Sequence, residues 1–113
     1  MIFGIGIDVV DIARFEESLV RTPALKARLF KGVELDRPLH GLAARFAAKE
    51  AIAKAMDAKG LFHWHDVEVI NLESGKPTFI LSGETEKYLQ GKKVHLSLSH
   101  DAGIASAMVV IEE

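Results

Sequence analysis

The sequence contains no cysteine, which excludes disulfide cross-links and thiolate chemistry and accords with a reducing cytosol. It has no basic excess. Lys and Arg number 14 against 16 Asp and Glu, for a formal net charge of -2 and a pI near 6.2, whereas nucleic-acid-binding domains are usually basic. No apolar run approaches the roughly 20 residues of a membrane span. The start, "MIFGIGIDVVDIARF", lacks a basic segment before its short apolar run, so it does not read as a secretory signal. Internal repeats, low-complexity tracts and linker-like stretches are missing too. What remains is a 113-residue chain, expected to be one cytoplasmic domain (1–113) with neither a nucleic-acid nor a membrane partner. Such a chain can bury a real core, yet is small enough to gain from oligomerisation.

Several catalytic signatures are absent as well. Gly4-Ile5-Gly6 does not begin a GxGxxG fingerprint, because position 9 is valine, and "SGKP" lacks the first glycine and the hydroxyl residue of a P-loop. Five histidines are present, but there is no HExxH, and His63-Trp64-His65 is poorly spaced for one helix face. Hydrogen-bonded or surface histidines are therefore expected rather than a zinc site.

The periodicities that are present place helices mainly first and antiparallel strands mainly later, an α+β class. "IFGIGID" reads as a buried strand ending at Asp8. Asp11 can cap a helix running to about Arg21, with Ile12, Phe15 and Leu19 on its core face. Thr22-Pro23 reads as the start of a short helix to about Phe30, "KGVELDRP" as a connector, and a long helix is expected from about Leu39 to Ala58, with Gly60 near its end. "DVEVINL", "ESGKP" and "TFIL" form a hairpin. Ser82 is placed to cap a helix to Gln90, ended by Gly91. "KVHLSLS" alternates, with Val94, Leu96 and Leu98 on one face, and "IASAMVVIEE" supplies a last strand.

The long helix carries the charges that need explaining. At about 100° per residue, Leu42, Phe46, Ile52 and Met56 form an apolar stripe that includes Arg45 and Lys49. Glu50 and Lys54 share the next flank, and alanines make a second smooth face. Glu50 before Lys54 fits an i,i+4 surface pair of about 0.2–0.5 kcal/mol. A helix buried on both faces would instead need a metal, an anion or another charge against these groups.

Asp8 at a strand end beside two glycines is either a turn-capping carboxylate or a hard-metal ligand where backbone and ligand can approach closely. With Glu50 it would make a two-carboxylate Mg²⁺ site, and Arg45, Lys49 and Lys54 would become phosphate partners. His100, read as lying at a turn after its strand, is a further phosphate contact. The residues alone point to a metal-assisted enzyme acting on a phosphate-bearing substrate. They also fit a hydrolase of nucleotide diphosphate linkages, or a non-catalytic trimeric module.

Three patches together, "GIGIDVVDIARF", "RFAAKEAIAKA", and "GKP" with "HLSLSHD", resemble the holo-acyl-carrier-protein synthases, the short class of 4′-phosphopantetheinyl transferases. The resemblance covers nearly the whole chain, and the length fits. It implies the fold of that family and transfer of 4′-phosphopantetheine from coenzyme A to a serine of apo-acyl-carrier protein, releasing 3′,5′-ADP, in fatty acid biosynthesis. It implies that Asp8 and Glu50 hold Mg²⁺ against the coenzyme pyrophosphate. Lys54 would contact phosphate, completing the catalytic set of Asp8, Glu50 and Lys54. Coenzyme A contacts would fall to Arg45, Lys49, Lys54, Gly75, Lys76, Pro77, Ser99 and His100. It further implies a homotrimer with sites at subunit interfaces. Arg14 and Arg21, on one side of the first helix and close after Asp8, would form a docking face for an acidic carrier. Two departures stand out. The segment 31–44 is shorter than in the family, and 57–66 lacks its GTGIG pattern, so coenzyme contacts there do not carry over.

Overall fold

The computed structural model describes residues 1–57 and 62–113. Along the chain these form β1 (Ile2–Asp11), α1 (Ile12–Arg21), α2 (Leu25–Leu29), a 3-10 turn (Gly32–Asp36), α3 (Leu39–Met56), a second 3-10 turn (Trp64–Asp66), β2 (Val67–Asn71), β3 (Pro77–Leu81), α4 (Gly83–Tyr88), β4 (Lys93–Asp101) and β5 (Ile104–Glu112). The α+β expectation holds, and both sheets are antiparallel. One has the order β1-β5-β4, and the other is the β2-β3 hairpin.

The larger sheet is set by a tight hairpin. Asp101 pairs with Ile104, and the two residues between them, Ala102 and Gly103, both have left-handed backbone (φ 51 and 77). That is the requirement of a type I′ turn, whose twist matches the flanking strands. The alternation in "KVHLSLS" survives in β4, with Leu96 buried and His95, Ser97 and Ser99 exposed. β4 continues two residues further than expected, so His100 is a strand residue opposite Ala105 and not a turn residue.

β1 corrects two further expectations. It does not end at Asp8 but pairs with β5 as far as Asp11, which leaves Asp8 mid-strand opposite Ala107. Nor is it buried on both faces, since Ile5, Ile7 and Val9 all stand exposed. The glycines serve packing instead of a ligand. A Cβ added at Gly4 or Gly6 would strike the carbonyl groups of Ala55 or Ala51 in α3. Bare backbone against alanine lets helix and strand meet without side chains between them, and α3 packs chiefly on β1 and β5. Ala47, Ala48, Ala51 and Ala55 are all buried, as are Leu42, Ile52 and Met56 on the other side of the helix.

Local signals succeed where the side chain makes the bond. Asp11 caps α1, its Oδ1 accepting from the Arg14 N–H at 3.0 Å. Phe15 is buried, with Ile12 and Leu19 packed beside it. Thr22 is instead the C-cap of α1, its N–H bonding to Ser18, and α2 starts only at Leu25. Ser82 is the N-cap residue of α4 without a side-chain bond, and the helix stops at Tyr88. α3 stops at Met56, with Asp57 left-handed. The expectations for Ala58 and Gly60 lie outside the described residues.

Gly6→Ala tests the close contact. The obstruction is backbone and cannot rotate away, so the variant should lose about 3 kcal/mol or more of stability. Urea unfolding of folded wild type and variant measures it. A loss below about 0.5 kcal/mol would show that strand and helix can separate at little cost.

Candidate functional site

Because β1 and α3 touch, residues on their shared edge converge. Asp8 from β1 and Glu50 from α3 line one open cleft of about 490 Å³ together with Phe46 and with Arg14, Phe15 and Ser18 of α1. Lys54, one turn beyond Glu50, does not pair with it. Its ammonium donates to Asp8 Oδ1 at 3.1 Å and to the Ile7 carbonyl at 2.9 Å. The head stays half exposed, within reach of an anion in solution. Burial, and then the charge of Asp8, push the Glu50 carboxyl above its ordinary value, with Lys54 opposing. Among the described residues no cluster of three or more His, Asp or Glu could hold a metal. The two carboxylates are nonetheless a donor set suited to Mg²⁺, which commonly takes one or two from protein and the rest from water and phosphate.

Lys49 has a different place from the one expected of it. It is fully buried, and its ammonium donates to Glu34 Oε1 at 2.9 Å, to the Leu29 carbonyl at 2.7 Å and to the Trp64 carbonyl at 3.0 Å. All three of its protons are used. A phosphate cannot reach it. Glu34, equally buried, also accepts from the backbone N–H groups of Lys31 and Val69, both at 2.9 Å. Burial pushes the lysine down, and Glu34 opposes that shift. Removing either partner of such a pair would cost about 3–5 kcal/mol. The pair ties the connector, α3 and β2 together. Glu34 was not picked out from the sequence because it lies 15 residues from Lys49, at no helical or strand spacing.

Arg45 lies on the other flank of α3, in a second and narrower cleft of about 180 Å³ with Arg37, His40, Asn71, Ser99 and His100. Among the described residues none lines both clefts. Asn71 Oδ1 accepts from Arg45 Nη2 at 2.6 Å and from Arg37 Nη2 at 2.8 Å, while its own amide donates to the Gly75 carbonyl at 2.9 Å. One neutral side chain thus holds two guanidinium groups and the hairpin turn that carries Gly75, Lys76 and Pro77. Arg45 Nη1 donates to the Gly41 carbonyl at 3.3 Å, and its buried Nε has no hydrogen-bond partner among the described residues. The rings of His40 and His100 lie 5.2 Å apart. Arg37, His40 and Asn71 are the site residues that sequence reasoning missed. An asparagine at a strand end and an exposed helix-start histidine carry no signal until the hairpin folds back.

On α1, Arg14 lines the first cleft, and Arg21 Nη2 reaches Ser18 Oγ at 3.5 Å, so the arginines share the side of Ser18 as expected. The remaining histidines are dispersed. His63 faces Glu84 at 3.6 Å, His65 lies 2.8 Å from the Ala27 carbonyl, and His95 pairs with Glu112 at 2.6 Å.

Comparison with known proteins agrees with this geometry. Residues 4–106 match the model of the 4′-phosphopantetheinyl transferase superfamily. A holo-[acyl-carrier-protein] synthase of Leifsonia xyli is 51% identical over 99% of this chain and 98% of its own length. The crystal structure of holo-[acyl-carrier-protein] synthase from Neisseria meningitidis superposes with a TM-score of 0.91 at 34% identity over 100% of both chains. The Helicobacter pylori synthase, crystallised in complex with coenzyme A, gives 0.86 at 32% identity over 96% of this chain and 99% of that one. Matched by that model over residues 4–106 and half identical to a synthase of the same length, this chain belongs to the 4′-phosphopantetheinyl transferase superfamily.

Proposed function

We propose that the protein is a holo-acyl-carrier-protein synthase, transferring 4′-phosphopantetheine from coenzyme A to a serine of apo-acyl-carrier protein. The observation that carries this reading is the convergence of Asp8, Glu50 and Lys54 on one cleft edge in a chain of this family. The serine oxygen forms the new bond to the pantetheine-side phosphorus, the bond to the 3′,5′-ADP oxygen breaks, and 3′,5′-ADP leaves. Such a displacement depends on alignment and charge neutralisation more than on covalent catalysis. Asp8 and Glu50 would hold Mg²⁺, which when bound neutralises the pyrophosphate and the departing phosphate. Lys54, already sharing its ammonium with Asp8, adds positive charge beside the same phosphates. The serine proton passes to Glu50, which lines the same cleft, or to water there. The reading implies the cytoplasm as the site of action.

Incubation with coenzyme A, Mg²⁺ and apo-carrier should add one phosphopantetheine to the mass of the carrier. Coenzyme A cleaved without modification of the carrier would mark a hydrolase instead. Asp8→Ala and Glu50→Ala, each confirmed folded by circular dichroism, should lower turnover at least about 100-fold, the scale of losing a charge-stabilising group. Near wild-type turnover under saturating coenzyme A in either variant would remove that residue from the metal site.

The assembly we infer is a homotrimer with composite sites. Its support is the exposed row of Ile5, Ile7 and Val9, each at least 60% accessible, with Met108 opposite Ile7 at 43%. A contiguous apolar sheet face of this kind is what an interface covers. The separation of the two clefts adds to it, since neighbouring copies could bring the carboxylate cleft of one against the arginine cleft of another. Sedimentation of wild type should give a trimer, and Ile7→Glu should give monomer with activity down at least tenfold. A fully active monomer would defeat this arrangement.

The carrier should dock along α1, whose Arg14 borders the carboxylate cleft. An acidic partner would be steered there by charge, more strongly at low ionic strength. Arg14→Glu with Arg21→Glu is expected to raise KM for apo-carrier severalfold while coenzyme A affinity stays within twofold. Equal KM for carrier in variant and wild type at low salt would return both arginines to ordinary surface.

A further inference from the structure

Lys54 does not take the partner nearest to it in sequence. Glu50 lies one turn back on the same helix, the spacing at which a glutamate and a lysine ordinarily pair. Glu50 nonetheless has no ion pair among the described residues, and the lysine crosses from α3 to β1 instead. Its ammonium donates to Asp8 Oδ1 at 3.1 Å and to the Ile7 carbonyl at 2.9 Å, so two acceptors on the strand fix its aim. The Lys54 side chain is 54% exposed and that of Asp8 17%, and a pair this open to water adds little to stability. Its effect on the cleft is larger. Asp8 is already neutralised, and only Glu50 keeps an uncompensated charge, so two acids and one lysine leave a single negative charge. A divalent cation arriving alone must displace the ammonium from Asp8 or settle beside it against like charge.

We propose that Lys54 is an exchangeable counter-ion of Asp8, holding that carboxylate against a divalent cation that arrives alone and giving it up when a diphosphate takes the ammonium. This rests on reading Asp8 and Glu50 as the metal ligands and coenzyme A as the source of the diphosphate. The diphosphate brings two negative charges and an acceptor for a charge-assisted hydrogen bond. The ammonium is free to make the exchange, because its head is half exposed on a flexible four-carbon stem and only the Ile7 carbonyl holds it besides Asp8. Metal and coenzyme therefore enter together, each tightening the other by the same factor. Without coenzyme A the two carboxylates do not collect divalent ions, since one of them is already spoken for. Lys54 thus acts on the metal through Asp8, in addition to its place beside the phosphates.

Mn²⁺, whose free aqueous ion is counted by its paramagnetic resonance signal, is titrated into the full chain without coenzyme A. Lys54→Met keeps an unbranched stem and removes the charge. It should bind Mn²⁺ alone at least about fivefold more tightly than wild type, the scale of one exposed ion pair no longer competing. With Mn²⁺ in fixed excess and no carrier present, calorimetric titration should show the same variant binding coenzyme A at least about fivefold more weakly, for want of one charged hydrogen bond. These opposite shifts mark the exchange, because a variant that merely loosened the site would weaken both ligands. Lys54→Arg keeps the charge and should bind Mn²⁺ within about twofold of wild type. Mn²⁺ affinity in Lys54→Met no greater than in wild type, an equal gain in Lys54→Arg, or unchanged coenzyme A affinity in Lys54→Met would overturn the exchange alone. Adding Asp8→Asn to Lys54→Met should abolish the gain in Mn²⁺ affinity. Mn²⁺ held as tightly by that double variant would overturn the reading of Asp8 as a metal ligand, and the exchange with it.

Discussion

Gly4 and Gly6 lie against the carbonyls of Ala55 and Ala51, and the rest of the molecule is arranged around that contact. Removing both side-chain layers brings a strand and an 18-residue helix together at backbone distance. Little apolar area is gained per residue from glycine and alanine. The gain is in precision, because backbone packed on backbone has few alternative registers. Glu50 and Lys54 belong to the same stretch of α3 as Ala51 and Ala55, and Asp8 follows Gly6 by two residues on β1. The contact that shapes the core therefore also sets the separation of the carboxylates.

α3 also separates two kinds of chemistry. On one flank, acids from α3 and β1 share a cleft with a lysine that already leans on Asp8. On the other, arginines and histidines gather around Asn71. Between them runs the buried Lys49, whose three bonds and the two backbone bonds of Glu34 leave neither charge unsatisfied. A desolvated pair gains little net stability. It does fix where the connector runs, and Arg37, which ends the 3-10 turn containing Glu34, is delivered beside Arg45 by the same segment. An anionic ligand spanning acid-bound cation and arginine cluster would need both flanks, and the exposed row on β1 offers a way for two copies to supply them.

Much of this was legible in the sequence because the determinants are local. Asp11 beside a 3.6-period run makes a cap, alternation makes β4 and the β2-β3 hairpin, and Asp8, Glu50 and Lys54 stand out as charges on otherwise apolar elements. The motifs around them were sufficient to point to the family. Tertiary structure decided what each charge faces. Arg45 and Lys49, four residues apart on one stripe, part company because Glu34 arrives over one and Asn71 over the other. The pairing of β1 with β5 carried the strand past Asp8, and the 102–103 turn kept His100 in its strand. The glycines of β1 turned out to admit a helix and not a ligand. Periodicity determines which side of an element a residue occupies. Only the packing of segments distant in sequence determines the charge, carbonyl or solvent that awaits it there.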